Sequence, residues 1–168
     1  MSNRFVEQGL KAPVNLTWEV TLACNLRCRH CLSSSGHSAA RELDTREALA
    51  LVGELHEAGV FQVNFGGGEP FLRPDFGKIL EACHDRGVMT CISTNGTLLD
   101  EPLVDRLSRS GLVAIQVSLD GARAETCDGL RGAGTSVRAL GALKLLASSP
   151  IPTSINAVLT TSNASEIP

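Results

Sequence analysis

Between Thr21 and Gly36 the chain reads TLACNLRCRHCLSSSG, with Cys24, Cys28 and Cys31 spaced four and then three residues apart. Thiols crowded into one loop suit a metal, and three readings compete. A zinc ion would need a fourth ligand, which His30 or His37 could supply. Zinc knuckles, however, pair two short Cys-x-x-Cys units, and no partner pair follows here. Unpaired structural thiols, or half of a disulfide framework, form the second reading. The third is a cubane iron–sulfur cluster held by three thiolates, which leaves one iron with open coordination. Asn25 and Arg27, between the cysteines, could then hydrogen-bond to the loop or offset its negative charge.

Further along, the chain supplies groups suited to a polar ligand beside such an iron. FGGGEP, from Phe65 to Pro70, sets Gly67 and Gly68 before Glu69. Glycines let backbone approach a ligand closely, and the carboxylate suits an ammonium group. The competing reading is a plain turn between strand and helix. STNG supplies Ser93 and Asn95, and SLDG supplies Ser118 and Asp120, a hydroxyl and a carboxylate fitted to ribose hydroxyls. Asn-Gly and Asp-Gly are also routine turn signals. Arg131, in CDGLRG, could meet a carboxylate or be a solvated loop charge.

These residues need a scaffold, and the hydrophobic pattern provides one. VNLTWEVT (14–21) reads as a strand that ends just before the cysteines. DTREALALVGELHEAG then places Ala48, Leu51, Val52, Leu55 and Ala58 at helical spacing, with Asp44 and Glu47 as a capping box and Gly59 as terminator. VFQVNF, VMTCIS, LVAIQVSL and IPTSINAVLT read as further strands. Helices are expected over 75–86, LDEPLVDRLSRSG and SVRALGALKLLAS, with 122–134 as a long loop. Crossovers of this length permit only parallel pairing, so the class is α/β. An open doubly wound sheet and an arc of a (β/α) barrel both fit. Every unusual residue falls at a strand's C-terminal end, contributed by several different strands, and that favours the barrel arc.

Composition agrees with one ordinary folded domain: 168 residues, 43% hydrophobic, 20% charged and a net charge of −3. Scattered Lys and Arg argue against nucleic acid as a partner, and the lack of a long apolar run argues against a membrane span. The N-terminus carries no secretory pattern, so a cytoplasmic location is expected, where structural disulfides are rare. Cys83 and Cys91 lie inside apolar segments and read as buried thiols.

Together, CNLRCRHC and GGEP resemble the signature motifs of the radical S-adenosylmethionine (SAM) enzymes. The resemblance implies a partial (β/α)6 barrel in which Cys24, Cys28 and Cys31 hold a 4Fe-4S cluster. The open iron would be chelated by the methionine amino and carboxylate groups of SAM. Reductive cleavage of SAM would then yield a 5′-deoxyadenosyl radical that abstracts a substrate hydrogen. By position it implies Gly67, Gly68 and Glu69 at the methionine ammonium, Ser93 and Asn95 lining the pocket, and Ser118 with Asp120 near the ribose. Asp128 and Arg131 fit the D-x-x-R-G of peptide-modifying members, with Cys127 where His or Tyr is more usual. The stretches around the two motifs resemble the branch of peptide maturases with a cysteine-rich SPASM extension. They resemble in particular a maturase type within that branch, and this narrower resemblance implies a precursor-peptide substrate ending in Val-Tyr, a small peptide-binding chaperone protein, and a low-potential electron donor such as a flavodoxin or ferredoxin. On this resemblance residues 1–168 form an incomplete radical SAM core, without the sixth strand or the extension.

Overall fold

The computed structural model describes residues 13–111 and 114–166. Its strands are β1 (Asn15–Thr21), β2 (Gln62–Gly67), β3 (Met89–Thr94), β4 (Ala114–Ser118) and β5 (Thr153–Asn156). They form one sheet in the order β1-β2-β3-β4-β5, and every neighbouring pair is parallel. A doubly wound sheet reverses direction at a switch point, and this one never does. The sheet is an arc of a barrel, as the placement of unusual residues predicts.

The helices are α1 (Thr45–Glu57), α2 (Phe76–Asp85), α3 (Glu101–Arg109), α4 (Ala124–Arg131) and α5 (Thr135–Ala147), and all but α4 return the chain across one face of the sheet. On that face Val63, Phe65, Ile92, Ile115 and Val117 are fully buried against Val52, Ile79, Ala139 and Leu146. Each such side chain contributes about 1.5–3 kcal/mol on leaving water. Trp18, Phe65, Phe76 and Phe71 extend this layer as a run of tilted and edge-on rings. Alternate strand residues point the other way, and there the sheet is polar. Asn64, Cys91, Ser93, Gln116 and Ser118 are half-buried on it, and Ser93 Oγ lies 3.4 Å from both Asn64 Oδ1 and Gln116 Oε1. Parallel sheets are usually apolar on both faces. A polar concave face marks a surface kept for a ligand.

The sequence pattern and the structure differ in two of the expected elements. The expected loop 122–134 contains helix α4, eight residues long, with only Cys127 and Arg131 buried. Gly129 and a lack of apolar periodicity hide it from a sequence reading. The expected strand over 151–160 shrinks to Thr153–Asn156, because its ladder ends at the Ser118–Asn156 pair where β4 itself ends. In LVAIQVSL, strand β4 is described from Ala114, while Leu112 and Val113 lie outside the described residues. The stretch on which the absence of a secretory pattern was read lies mostly outside them too.

Candidate functional site

All the singled-out residues gather at the C-terminal edge of the sheet. The cysteine loop leaves β1 and is stitched to the GGE turn by backbone, with Gly68 N donating to Thr21 O at 2.7 Å and Glu69 N to Ala23 O at 2.8 Å. This contact dictates two of the glycines. A Cβ on Gly68 would stand 2.1 Å from Ala23 O, and one on Gly67 would stand 2.5 Å from Thr21 O. Gly66 differs, since a Cβ there would meet nothing within 4 Å. Its small size leaves free space at the head of the polar face.

The far limb of the loop is pinned by Glu42, which accepts from Leu22 N (2.9 Å), Ala39 N (3.0 Å) and Thr21 Oγ1. Burial works to raise the Glu42 pKa, but those hydrogen bonds and nearby Arg73 win and hold it below its ordinary value. Arg73 is itself buried, donating to Val20 O and Leu43 O at 2.9 Å and pairing with Asp75 at 2.7 Å.

Cys24, Cys28 and Cys31 are half-buried free thiols, each offered a donor. Leu26 N reaches Cys24 Sγ at 3.4 Å, Ser35 N reaches Cys31 Sγ at 3.3 Å, and Arg131 Nη1 reaches Cys28 Sγ at 3.9 Å. Burial is the main influence raising the Cys24 and Cys28 thiols above their usual pKa. Donors converging on sulfur suit metal-bound thiolates, whose retained charge such contacts stabilise. Two buried polar atoms of the same loop, His30 Nδ1 and Ser35 Oγ, have no hydrogen-bond partner within the protein. These features fit a cluster with sulfide and thiolate acceptors. Among the described residues no three of His, Cys, Asp and Glu converge as ligands of a single metal ion.

Glu69 is completely buried. Thr94 Oγ1 donates to its two oxygens at 2.8 and 2.9 Å, Asn95 N donates at 2.9 Å, and Phe71 N at 3.3 Å caps the short 3-10 turn Pro70–Leu72. Burial pushes its carboxyl above the ordinary range against these hydrogen bonds. No cation pairs with it among the described residues, and it is close enough to Cys24 to act on that thiol's charge. Asn95 in turn spans to the cysteine loop, donating to Asn25 Oδ1 at 2.9 Å and lying 4.0 Å from Cys24 Sγ. The ends of β1, β2 and β3 therefore meet at one point.

Asp120 is also completely buried, but it is paired. Its Oδ2 lies 2.5 Å from Arg131 Nε and 2.9 Å from His30 Nε2, and its Oδ1 accepts from Val158 N at 2.8 Å. The carboxylate read as a ribose ligand thus has three partners within the chain. Ser118, two residues earlier at the end of β4, stays on the polar face beside Asn156. The contacts of His30, Thr94 and Glu42 with the site went unread in the sequence, because their partners lie 20 to 90 residues away. Only the position of His30 between two cysteines was a local signal.

With this geometry in place, the comparison with known proteins is decisive. The radical SAM superfamily model matches residues 18–167. The chain belongs to the radical SAM superfamily. Among curated radical SAM relatives, it is 44% identical over 162 residues to mycofactocin maturase MftC of Mycobacterium ulcerans, covering 96% of this chain and 44% of that protein. It is 39% identical over 158 residues to the AdoMet-dependent heme synthase of Methanosarcina barkeri, covering 93% of this chain and 45% of that protein. The chain therefore spans under half the length of these relatives. Streptococcus suis SuiB, solved bound to its precursor peptide SuiA, superposes with a TM-score of 0.83 at 23% identity, over 93% of this chain and 35% of that one. At that identity the likeness establishes the radical SAM barrel fold. No helix among the described residues is long and apolar enough to cross a membrane.

Proposed function

We propose that this chain is the core of a radical SAM peptide maturase of the mycofactocin type. Cys24, Cys28 and Cys31 hold a 4Fe-4S cluster, and the GGE turn with Ser93 and Asn95 receives SAM. When bound, the cluster would supply the electron for reductive SAM cleavage, and with it the radical chemistry that removes a substrate hydrogen. The protein's own work is to position and shield. The observation that carries this reading is Glu69: a wholly buried carboxylate, beside Cys24, with no cation of its own among the described residues. Buried charges are normally paired, and the methionine ammonium of SAM supplies the missing cation. Gly66 leaves the space, and Thr94 and Asn95 hold the carboxylate in place. The 44% identity to mycofactocin maturase supports a precursor peptide as substrate, decarboxylated at its C-terminal Val-Tyr end and then crosslinked. A small peptide-binding chaperone and a flavodoxin or ferredoxin would serve as partners.

Anaerobic reconstitution tests the metal and cofactor. The chain should take up about four irons with broad absorbance near roughly 400 nm. Ala at Cys24, Cys28 or Cys31 should remove most of it, and Ala at Cys83 should not. Glu69→Gln keeps the shape and loses the charge, so calorimetry should find SAM bound about 10-fold more weakly, about 1.4 kcal/mol, with the cluster intact. Stoichiometric zinc without iron would overturn the cluster, and unchanged SAM affinity would remove Glu69 from the site.

A further inference from the structure

Arg131 sits in the last turn of α4, buried to 8% exposure although it is an arginine. Its two ends do different things. Nε is gripped by the buried Asp120 at 2.5 Å, while Nη1 faces Cys28 Sγ at 3.9 Å. Asp120 is itself fixed by Val158 N, and its backbone carbonyl accepts from the buried Asn163 Nδ2 at 2.8 Å. His30 Nε2 closes the group from the cysteine loop at 2.9 Å. The loop and α4 are also joined by backbone, since Arg29 N donates to Leu130 O at 2.9 Å. A helix end, two loops and a strand end thus aim one guanidinium at one cysteine sulfur. Placing the cation at a helix C-terminus is itself favourable.

We propose that Arg131, aimed by Asp120 and His30, is a positioning residue that sets the electron affinity of the cluster held by Cys24, Cys28 and Cys31. The inference rests on those cysteines being cluster ligands. A cluster gains negative charge on reduction, so a nearby cation and a hydrogen bond to a ligating sulfur both favour the reduced state. Asp120 offsets part of this field, but it meets the guanidinium at Nε, while Nη1 is the atom that faces the sulfur. The chain therefore carries a built-in means of making a difficult reduction easier. None of the motif residues reports it, because Asp120 and Arg131 are each explained separately by turn and loop chemistry.

The test is a mediated redox titration of the reconstituted 168-residue chain, followed by the paramagnetic signal of the reduced cluster. Arg131→Gln should shift the reduced-to-oxidised ratio at fixed potential at least tenfold toward oxidised, a fall of about 59 mV for a one-electron couple. Arg131→Lys keeps the charge and should recover most of the shift. Arg131→Gln leaves Asp120 as an unpaired buried charge, so the double variant Asp120→Asn with Arg131→Gln guards against misfolding. It should still titrate below the parent. A midpoint unchanged in both glutamine variants, with full iron content, would overturn the proposal. So would glutamine variants that fold but lose iron, since Arg131 would then be a retention residue. Failure of the parent chain itself to bind iron would instead remove the cluster assignment beneath it.

Discussion

Glycine is the residue whose meaning changes most between sequence and structure. Three in a row, Gly66 to Gly68, suggest a backbone cleared for a ligand. Two of them are instead required by the protein, because β2 must pass against the cysteine loop at Thr21 and Ala23. Gly68→Ala should therefore destabilise the ligand-free chain by about 1–3 kcal/mol or more, read as a lower denaturant midpoint. Gly66→Ala should leave stability within about 0.5 kcal/mol and weaken SAM binding, because its Cβ enters space that only a ligand would fill. Equal stability losses in the two variants would contradict this division of labour. The same lesson applies to the carboxylates. Glu69 and Asp120 were both legible as buried or site-forming acids at strand ends. Which of them holds a cation within the chain was not, since Arg131 and His30 reach Asp120 from 11 and 90 residues away.

At the scale of elements, the strands and most helices could be read because hydrophobic period and capping agree. Asp44 and Glu47 form the expected capping box on α1. Helix α4 was illegible for a physical reason: it buries a thiol and a guanidinium rather than an apolar stripe. Periodicity cannot report a helix whose purpose is to present Arg131. The limb that returns from the cysteines to α1 has no regular structure and depends on Glu42. Its folded pKa lies below the ordinary carboxylate value, so its contribution is fully present above the unfolded pKa of about 4.3 and is lost as pH falls through the lowered folded value. Hydrogen exchange of the Leu22 and Ala39 amides should therefore accelerate, relative to the intrinsic rate, as acidity increases through that window. Glu42→Gln should give faster exchange at neutral pH and remove most of the dependence. Protection that is unchanged in the variant would show that Arg73 and the backbone stitches hold the limb without it.

For the molecule as a whole, the sheet is almost without charge. The five strands carry one charged side chain, Glu19, and no Lys or Arg. Amide and hydroxyl groups make up most of the concave face, with Asn64, Ser93 and Gln116 in hydrogen-bonding range across three strands. Donors and acceptors at strand spacing on an uncharged face suit an extended, uncharged stretch of chain, in keeping with the proposed peptide substrate. The radical step needs a substrate sealed from solvent, and a five-stranded arc covers only part of a barrel. The chain alone should accordingly cleave SAM slowly and without coupling to a substrate. The enzyme of the relatives' full length, loaded with cluster and supplied with SAM, dithionite and its peptide-binding partner, should act on a peptide ending in Val-Tyr. Mass spectrometry should then find a product lighter by carbon dioxide and two hydrogens. One hydrogen atom is taken by the adenosyl radical, and the terminal carboxyl leaves as carbon dioxide and a proton, with an electron that a bound iron–sulfur cluster would accept. A peptide recovered unchanged while SAM is consumed would defeat the mycofactocin assignment and leave the radical SAM core intact.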